Sequence, residues 1–175
     1  MLRPLILIDF DGVFNIVNDL EVARGVWSDV EEIYVPISGG SIRTRVSPTL
    51  VSLFSRIVES GLVDVEWLTT WKEDTEQFPA ALGFPSLIWH DEPADLPFFP
   101  WWKWEVVKTI AEERERGTPV LWIDDDIRHD RDAPVWISEN EFVTALSPDS
   151  FKGITPAQVQ EITTFVERHT GVKID

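Results

Sequence analysis

The sequence predicts an α/β fold: three Rossmann-like layers around a central, mainly parallel sheet. Short apolar runs alternate with stretches whose apolar residues recur at helical spacing, which is typical of strands joined by helices. The first run, LILI at positions 5–8, is apolar throughout, as expected for a strand buried on both faces. Acidic or hydroxyl residues directly follow several of these runs. Ligands of such sheets bind beyond the carboxyl ends of the strands, so these positions are candidates for a functional site.

Composition narrows the class of protein. The 175 residues suit a single domain, and 43% hydrophobic with 26% charged residues is typical of a globular chain rather than a disordered one. Cysteine is absent, which excludes disulfides, zinc–thiolate sites and cysteine nucleophiles. The formal net charge of −16 disfavours strong duplex-DNA binding and anionic membranes. With no bilayer-length apolar run and no secretory pattern, a soluble cytoplasmic protein is expected.

The first half of the chain predicts one strand, a hairpin, a helix and a second strand. Positions 14–46 are expected to be largely irregular, apart from short strands at 33–37 and 42–46 around a Gly-Gly turn. A helix begins at Ser47, a natural N-cap followed by proline, and ends near Gly61. The next strand is expected at 63–68.

The second half continues the alternation of helices and strands. The helix at 102–116 ends at Gly117, and a last helix opens at Thr155-Pro156. The other predicted elements are a short helix after Trp71, strands at 87–89, 119–123 and 135–137, and a proline-rich loop at 91–100.

Two carboxylates follow the first strand, in the segment Asp9-Phe10-Asp11-Gly12. The glycine permits a tight turn, so that backbone groups can approach a ligand. An Asp-x-Asp pair by itself is equally consistent with a solvated turn and with half of a cation site.

A second acidic group, Asp124-Asp125-Asp126, follows the strand at 119–123. Adjacent carboxylates repel one another unless a cation or solvent intervenes, and Mg²⁺ prefers hard oxygen ligands. Two matched strand ends therefore favour a magnesium site over two exposed loops.

A hydroxyl and an ammonium complete the pattern. Thr69 ends the second sheet strand and could bind a phosphoryl oxygen, with Thr70 as the alternative. Lys103 begins the helix before the strand that ends at Asp124, and it could neutralise the carboxylates and hold a phosphate. Lys108 is the alternative lysine, but it lies farther from the start of the helix.

This order of motifs resembles the haloacid dehalogenase (HAD) superfamily of phosphotransferases. The four motifs of that family have candidates between positions 5 and 130, which is most of the chain. The resemblance implies a Mg²⁺-dependent phosphatase that acts through an aspartyl-phosphate. In that reading Asp9 is the nucleophile and a metal ligand, and Asp11 is the general acid/base and also contacts the metal. It also implies that Thr69 and Lys103 bind phosphate, that Asp125 and Asp124 complete the metal site, and that Asp130 is a further acid.

The resemblance also bears on domain organisation and substrate. Many family members carry a cap domain where this chain has only positions 14–46, enough for a hairpin flap on a single domain spanning 1–175. A capless site is open and often goes with bulky substrates. Tryptophans flank several motifs, and in this respect the chain resembles a HAD branch associated with bacterial RNA-repair proteins. That resemblance implies a nucleotide or a nucleic-acid end phosphate as the substrate. Trp101, Trp102 and Trp104 could stack a base, although such dense aromatics more often pack in a core.

Other functions are compatible with parts of the pattern. A HAD-like or receiver-like module would bind metal and phosphate without turnover, although receiver domains place their acid pair and their phosphorylated aspartate in a different order. An Asp-x-Asp glycosyltransferase would be larger and would leave Thr69 and Lys103 unexplained. The three histidines, His90, His129 and His169, show no metal-ligand spacing. The sequence leaves the oligomeric state open.

Overall fold

The computed structural model describes residues 3–94, 101–114 and 117–174. Strands and helices alternate along most of the chain, as the sequence pattern predicts. The strands are β1 (Leu5–Ile8), β2 (Glu31–Ile37), β3 (Gly40–Val46), β4 (Asp64–Trp67), β5 (Ile88–Trp89), β6 (Val120–Ile123) and β7 (Val143–Leu146). The helices are α1 (Leu20–Val26), α2 (Pro48–Glu59), α3 (Phe78–Leu82), α4 (Trp102–Glu113), α5 (Ala133–Glu139) and α6 (Pro156–Thr170), with 3-10 turns at Lys72–Gln77 and Ile127–His129.

Five parallel strands form the central sheet in the order β5-β4-β1-β6-β7. The register places Ile8 of β1 beside Trp67 of β4 and Ile123 of β6, so the carboxyl ends of these three strands lie at one edge. From β1 the chain builds outward through β4 and β5, then returns to add β6 and β7 on the other side. This reversal opens a crevice between the ends of β1 and β6, where ligands of open α/β sheets bind.

Two apolar layers cover the two faces of the sheet. Alternate residues of β1 point to opposite sides, as strand geometry requires, and all four are fully buried. Ile6 and Ile8 belong to a core that includes buried residues of α2 and α6, whereas Leu5 and Leu7 pack in a second core with α4 and α5. The predicted fold class, a three-layer α/β arrangement with a parallel sheet and a small antiparallel hairpin of β2 and β3, is therefore confirmed.

The ends of the main helices follow from local sequence. The Ser47 hydroxyl accepts a hydrogen bond from the backbone N–H of Leu50, 3.2 Å away, and thereby caps α2. Thr155 and Gln158 form a capping box at the start of α6, which ends at Gly171 in the left-handed region. Among the helices of the described ranges, none is both long enough and apolar enough to cross a membrane.

Two sequence-based predictions of secondary structure are wrong. Positions 135–137 belong to α5 rather than to a strand, and the fifth sheet strand is β7. A run of three apolar residues does not distinguish the two structures, and Pro134 suits the first turn of a helix. The stretch expected to be irregular contains α1 and a longer hairpin than predicted. Parts of the predicted loop at 91–100 and helix at 102–116 lie outside the described residues.

Candidate active site

Two buried carboxylates and one buried ammonium meet at the crevice between β1 and β6. Asp9 directly follows β1, Asp124 directly follows β6, and Lys103 lies in the first turn of α4. The Nζ atom of Lys103 donates to Oδ2 of Asp9 at 2.6 Å and to Oδ2 of Asp124 at 2.8 Å. Asp9 is only 5% exposed, Lys103 is 3% exposed, and Asp124 is fully buried at 0%. Their exclusion from water strengthens these charge-assisted contacts.

The remaining carboxylate oxygens of this pair are also bonded. Oδ1 of Asp9 accepts the backbone N–H of Phe10 at 2.7 Å, and the nearby Thr69 hydroxyl acts to lower the pKa of Asp9. Oδ1 of Asp124 accepts the backbone N–H of Asp126 at 2.9 Å. Thr69 is buried beside the cluster, whereas its neighbour Thr70 is exposed.

Asp125 completes a group of three carboxylates with metal-ligand spacing. One oxygen each from Asp9, Asp124 and Asp125 lie within 4.8 Å of one another. Among the residues that the structure describes, Lys103 is the one cation in a salt bridge with the group, through Asp9 and Asp124, so three ionised carboxylates would retain a net negative charge. Oxygen ligands with surplus negative charge are the donor set that Mg²⁺ requires, and the residues present therefore fit this ion.

Burial and crowding raise the pKa values of these carboxyls. Burial raises the pKa of Asp9, although the nearby Lys103 opposes this effect. Burial, together with the Asp9 charge, raises the pKa of Asp124 to about 8, and burial with repulsion from Asp126 raises the pKa of Asp125 to about 6. Burial disfavours the Lys103 ammonium, but the carboxylates of Asp9 and Asp124 more than offset this and raise its pKa above the usual range. A divalent cation would favour the ionised form of all three acids.

Gly12 is required by the position of Asp125. Its φ is +68°, and a Cβ added there would lie 2.3 Å from Cγ of Asp125, far inside any possible contact. The loop after β1 can therefore lie this close to the loop after β6 only because Gly12 has no side chain.

We expect Gly12→Ala to displace the Asp125 carboxylate and weaken Mg²⁺ binding by about 10- to 100-fold. Gly61→Ala is the matched control, because Gly61 has φ +64° but no atom within 4 Å of an added Cβ. Both variants carry similar backbone strain, about 1–2 kcal/mol. Calorimetric titration with MgCl₂ measures the difference, and equal Mg²⁺ affinities in the two variants would contradict this role of Gly12.

Asp11 does not join the three-carboxylate group through its side chain. Its Oδ1 accepts a hydrogen bond from Nδ2 of Asn15 at 2.6 Å, and its Oδ2 accepts one from Nε1 of Trp71 at 2.8 Å. The sequence pattern assigns no role to Asn15, and Trp71 enters it as the residue before a short helix and as one of the tryptophans that flank the motifs. The spacing of four residues between Asp11 and Asn15 is a weak local signal, but the contact with Trp71 spans 60 positions and has none.

Two other candidate residues form hydrogen bonds with partners outside this cluster. Oδ1 of Asp130 accepts the backbone N–H groups of Asp132 and Ala133 and so supports the start of α5. Lys108 donates to Glu105 on the surface of α4.

The aromatic and histidine candidates also have partners of their own. Trp101 stacks on Trp122 with 5.0 Å between ring centroids, and the Lys108 ammonium covers the Trp104 ring. Trp101, Trp102 and Trp104 all pack against the core beneath α4. His90 is bonded to Glu66, His129 to Arg128, and His169 packs on Phe165.

The raised carboxyl pKa values predict how stability depends on pH. Between pH 4 and 8 the folded protein binds more protons at Asp125 and Asp124 than the unfolded chain, whose aspartates titrate near 3.8. We therefore expect the free energy of unfolding of the metal-free protein to fall as pH rises through 6 and towards 8. The titration of Lys103 itself adds no pH dependence in this window, because the lysine stays protonated in both the folded and the unfolded chain.

Denaturant titrations at pH 5, 6, 7 and 8, with EDTA or MgCl₂, measure this dependence. Mg²⁺ should raise stability most at pH 8, because it favours the ionised carboxyls. His169 acts in the opposite direction, since burial lowers its pKa, and a His169→Gln background removes that contribution. Stability that rises with pH in this background without metal would contradict the prediction.

Comparison with known proteins adds little to this geometry. No family model matches the chain, and no curated protein matches it. One solved structure that matches is a Vibrio cholerae protein provisionally assigned as a 3-deoxy-D-manno-octulosonate 8-phosphate phosphatase. The match has 16% identity and a TM-score of 0.43, and it covers 97% of this chain and 86% of the other. Likeness at this level carries no inference about activity, which rests on the site itself.

Proposed function

We propose that this chain is a Mg²⁺-dependent phosphomonoesterase of the HAD type, with Asp9 as the nucleophile. The observation that carries the proposal is the buried Lys103 ammonium bonded to both Asp9 and Asp124, with Asp125 beside them. Asp9, Asp124 and Asp125 would hold the magnesium ion. When bound, the ion would offset the negative charge of the phosphate oxygens. Thr69 and Lys103 would bind the same phosphate.

The reaction proceeds through two transfers at phosphorus. In the first, a carboxylate oxygen of Asp9 forms a bond to phosphorus while the ester P–O bond breaks, and protonated Asp11 gives its proton to the departing alkoxide. In the second, water attacks phosphorus and gives a proton back to Asp11, and the bond between phosphorus and Asp9 breaks. Inorganic phosphate is released, and both aspartates return to their starting states. Lys103 neutralises charge in both steps.

The proposed substrate is a phosphate monoester, with nucleotides and nucleic-acid ends included in the class to be tested. The hairpin of β2 and β3 is the small flap proposed in place of a larger cap. Base stacking on Trp101, Trp102 and Trp104 does not support a nucleic-acid substrate, because these rings pack against the core beneath α4. The formal charge of −16 likewise disfavours long RNA.

A panel of phosphate monoesters tests the proposal. Purified protein is assayed for inorganic phosphate release from sugar phosphates, nucleoside monophosphates and RNA oligonucleotides with a terminal phosphate, in MgCl₂ or EDTA. We expect release from at least one class in MgCl₂ and none in EDTA. Mg²⁺ binding without release from any class would instead favour the metal- and phosphate-binding module.

A further inference from the structure

The carboxylate of Asp11 is held through both of its oxygens by donors from two different elements. Asn15 Nδ2 lies 2.6 Å from Oδ1, and Trp71 Nε1 lies 2.8 Å from Oδ2. Neither donor is charged. Each carboxylate oxygen accepts one of these bonds and keeps a second lone pair, so Asp11 can still carry a proton and contact a substrate oxygen.

Both donors are themselves fixed in place. The Trp71 ring is 7% exposed and packs with its neighbours Phe10 and Phe78, each at a centroid distance of 5.2 Å. Asn15 accepts the backbone N–H of Arg45 from β3 through its Oδ1 at 2.8 Å. Its amide is thereby oriented, with the oxygen toward the hairpin and the nitrogen toward Asp11.

We infer that Trp71 and Asn15 are positioning residues that orient Asp11 for proton transfer to the leaving oxygen. The inference rests on the proposed function, in which Asp11 is the general acid. Proton transfer needs the carboxyl within hydrogen-bond reach of the leaving oxygen, and small misplacements of a reacting group are costly. Because packed donors fix both oxygens of this carboxylate, its side-chain conformational entropy is lost on folding. Ordering the side chain therefore adds nothing to the barrier of the reaction.

A purely structural role for the two contacts makes a different prediction. If they only fasten the loop after β1, their loss should slow the hydrolysis of every substrate by the same factor. If they position a general acid, their loss should matter most for alkoxide leaving groups, which need a proton to depart. A nitrophenolate leaves without one, so hydrolysis of p-nitrophenyl phosphate depends less on Asp11. The difference between the two substrates is measured by kcat/KM, because this constant depends only on the steps up to and including departure of the leaving group.

The test compares Trp71→Phe and Asn15→Leu with wild type on glycerol 2-phosphate and on p-nitrophenyl phosphate. Trp27→Phe is the matched control, since it also loses an indole hydrogen bond, donated to the Ile154 carbonyl at 2.7 Å, away from Asp11. We expect kcat/KM for glycerol 2-phosphate to fall about tenfold or more in both test variants. For p-nitrophenyl phosphate it should fall less than about threefold, and Trp27→Phe should keep the wild-type ratio of the two constants.

Three outcomes would overturn the inference. Equal losses on the two substrates would assign the contacts a structural role, and unchanged kinetics would assign them none. Wild type that hydrolyses neither these two esters nor any member of the substrate panel would remove the proposed function, and the inference with it. If wild type hydrolyses only a panel member, that alkyl ester and its p-nitrophenyl counterpart take the place of the two esters. Trp71→Phe keeps the test decisive if Asn15→Leu fails to fold, because the phenyl ring still fills the aromatic cluster around Phe10 and Phe78.

Discussion

Replacing Asp9 by asparagine is expected to abolish phosphatase activity while the protein stays folded. An amide oxygen is a poor nucleophile toward phosphorus, and the change also removes one of three carboxylates from the metal group. We expect kcat for p-nitrophenyl phosphate in MgCl₂ to fall on the order of 10³-fold or more. A radiolabelled phosphate ester should leave acid-stable label on wild type but not on Asp9→Asn.

The fold should tolerate this change for an electrostatic reason. Burial raises the pKa of Asp9, so its ionised form is destabilising in the metal-free protein at neutral pH. Lys103 keeps a partner, because Asp124 remains 2.8 Å from its ammonium. Asp126→Asn is the matched control: it removes an exposed carboxylate next to the cluster and should keep activity. Activity equal to wild type in Asp9→Asn would exclude Asp9 from the mechanism.

Replacing Lys103 by methionine is expected to have the largest effect on stability. Methionine matches the lysine stem but leaves the buried carboxylates of Asp9 and Asp124 without their shared cation. Removing one partner of a buried ion pair typically costs about 3–5 kcal/mol, and we expect a loss of this size at pH 8 without metal. Activity should fall as well, because Lys103 contacts the proposed nucleophile directly.

The loss in Lys103→Met should shrink as pH falls. Lys103 lowers the pKa values of both carboxyls, so without it their already raised values rise further and protonation relieves the repulsion at pH 5. Lys108→Met is the control on the same helix, where a partly exposed pair with Glu105 is worth at most about 1 kcal/mol. Denaturant titrations at pH 5 and pH 8 measure both variants. A loss in Lys103→Met that is as large at pH 5 as at pH 8 would contradict an electrostatic role of the ammonium.

Local sequence was sufficient to predict most of the fold. Continuous apolar runs gave β1 and β6, and caps such as Ser47 gave the helix boundaries, because periodicity and capping act over a few residues. The errors lie where local signals are short. A three-residue apolar run predicts a strand where the structure has α5, and α1 lies in a stretch predicted to be irregular.

Some features of the candidate site likewise follow from local sequence, whereas others follow only from the tertiary structure. The sequence by itself determined the chemistry: an acid after each of two strands, a hydroxyl, a lysine and Gly12, all near the ends of elements that a parallel sheet brings to one edge. Only the tertiary structure decided that Lys103 lies between Asp9 and Asp124, and that Trp71 and Asn15 hold Asp11. Contacts such as these join residues up to 94 positions apart, and their partners follow from packing rather than from any local pattern.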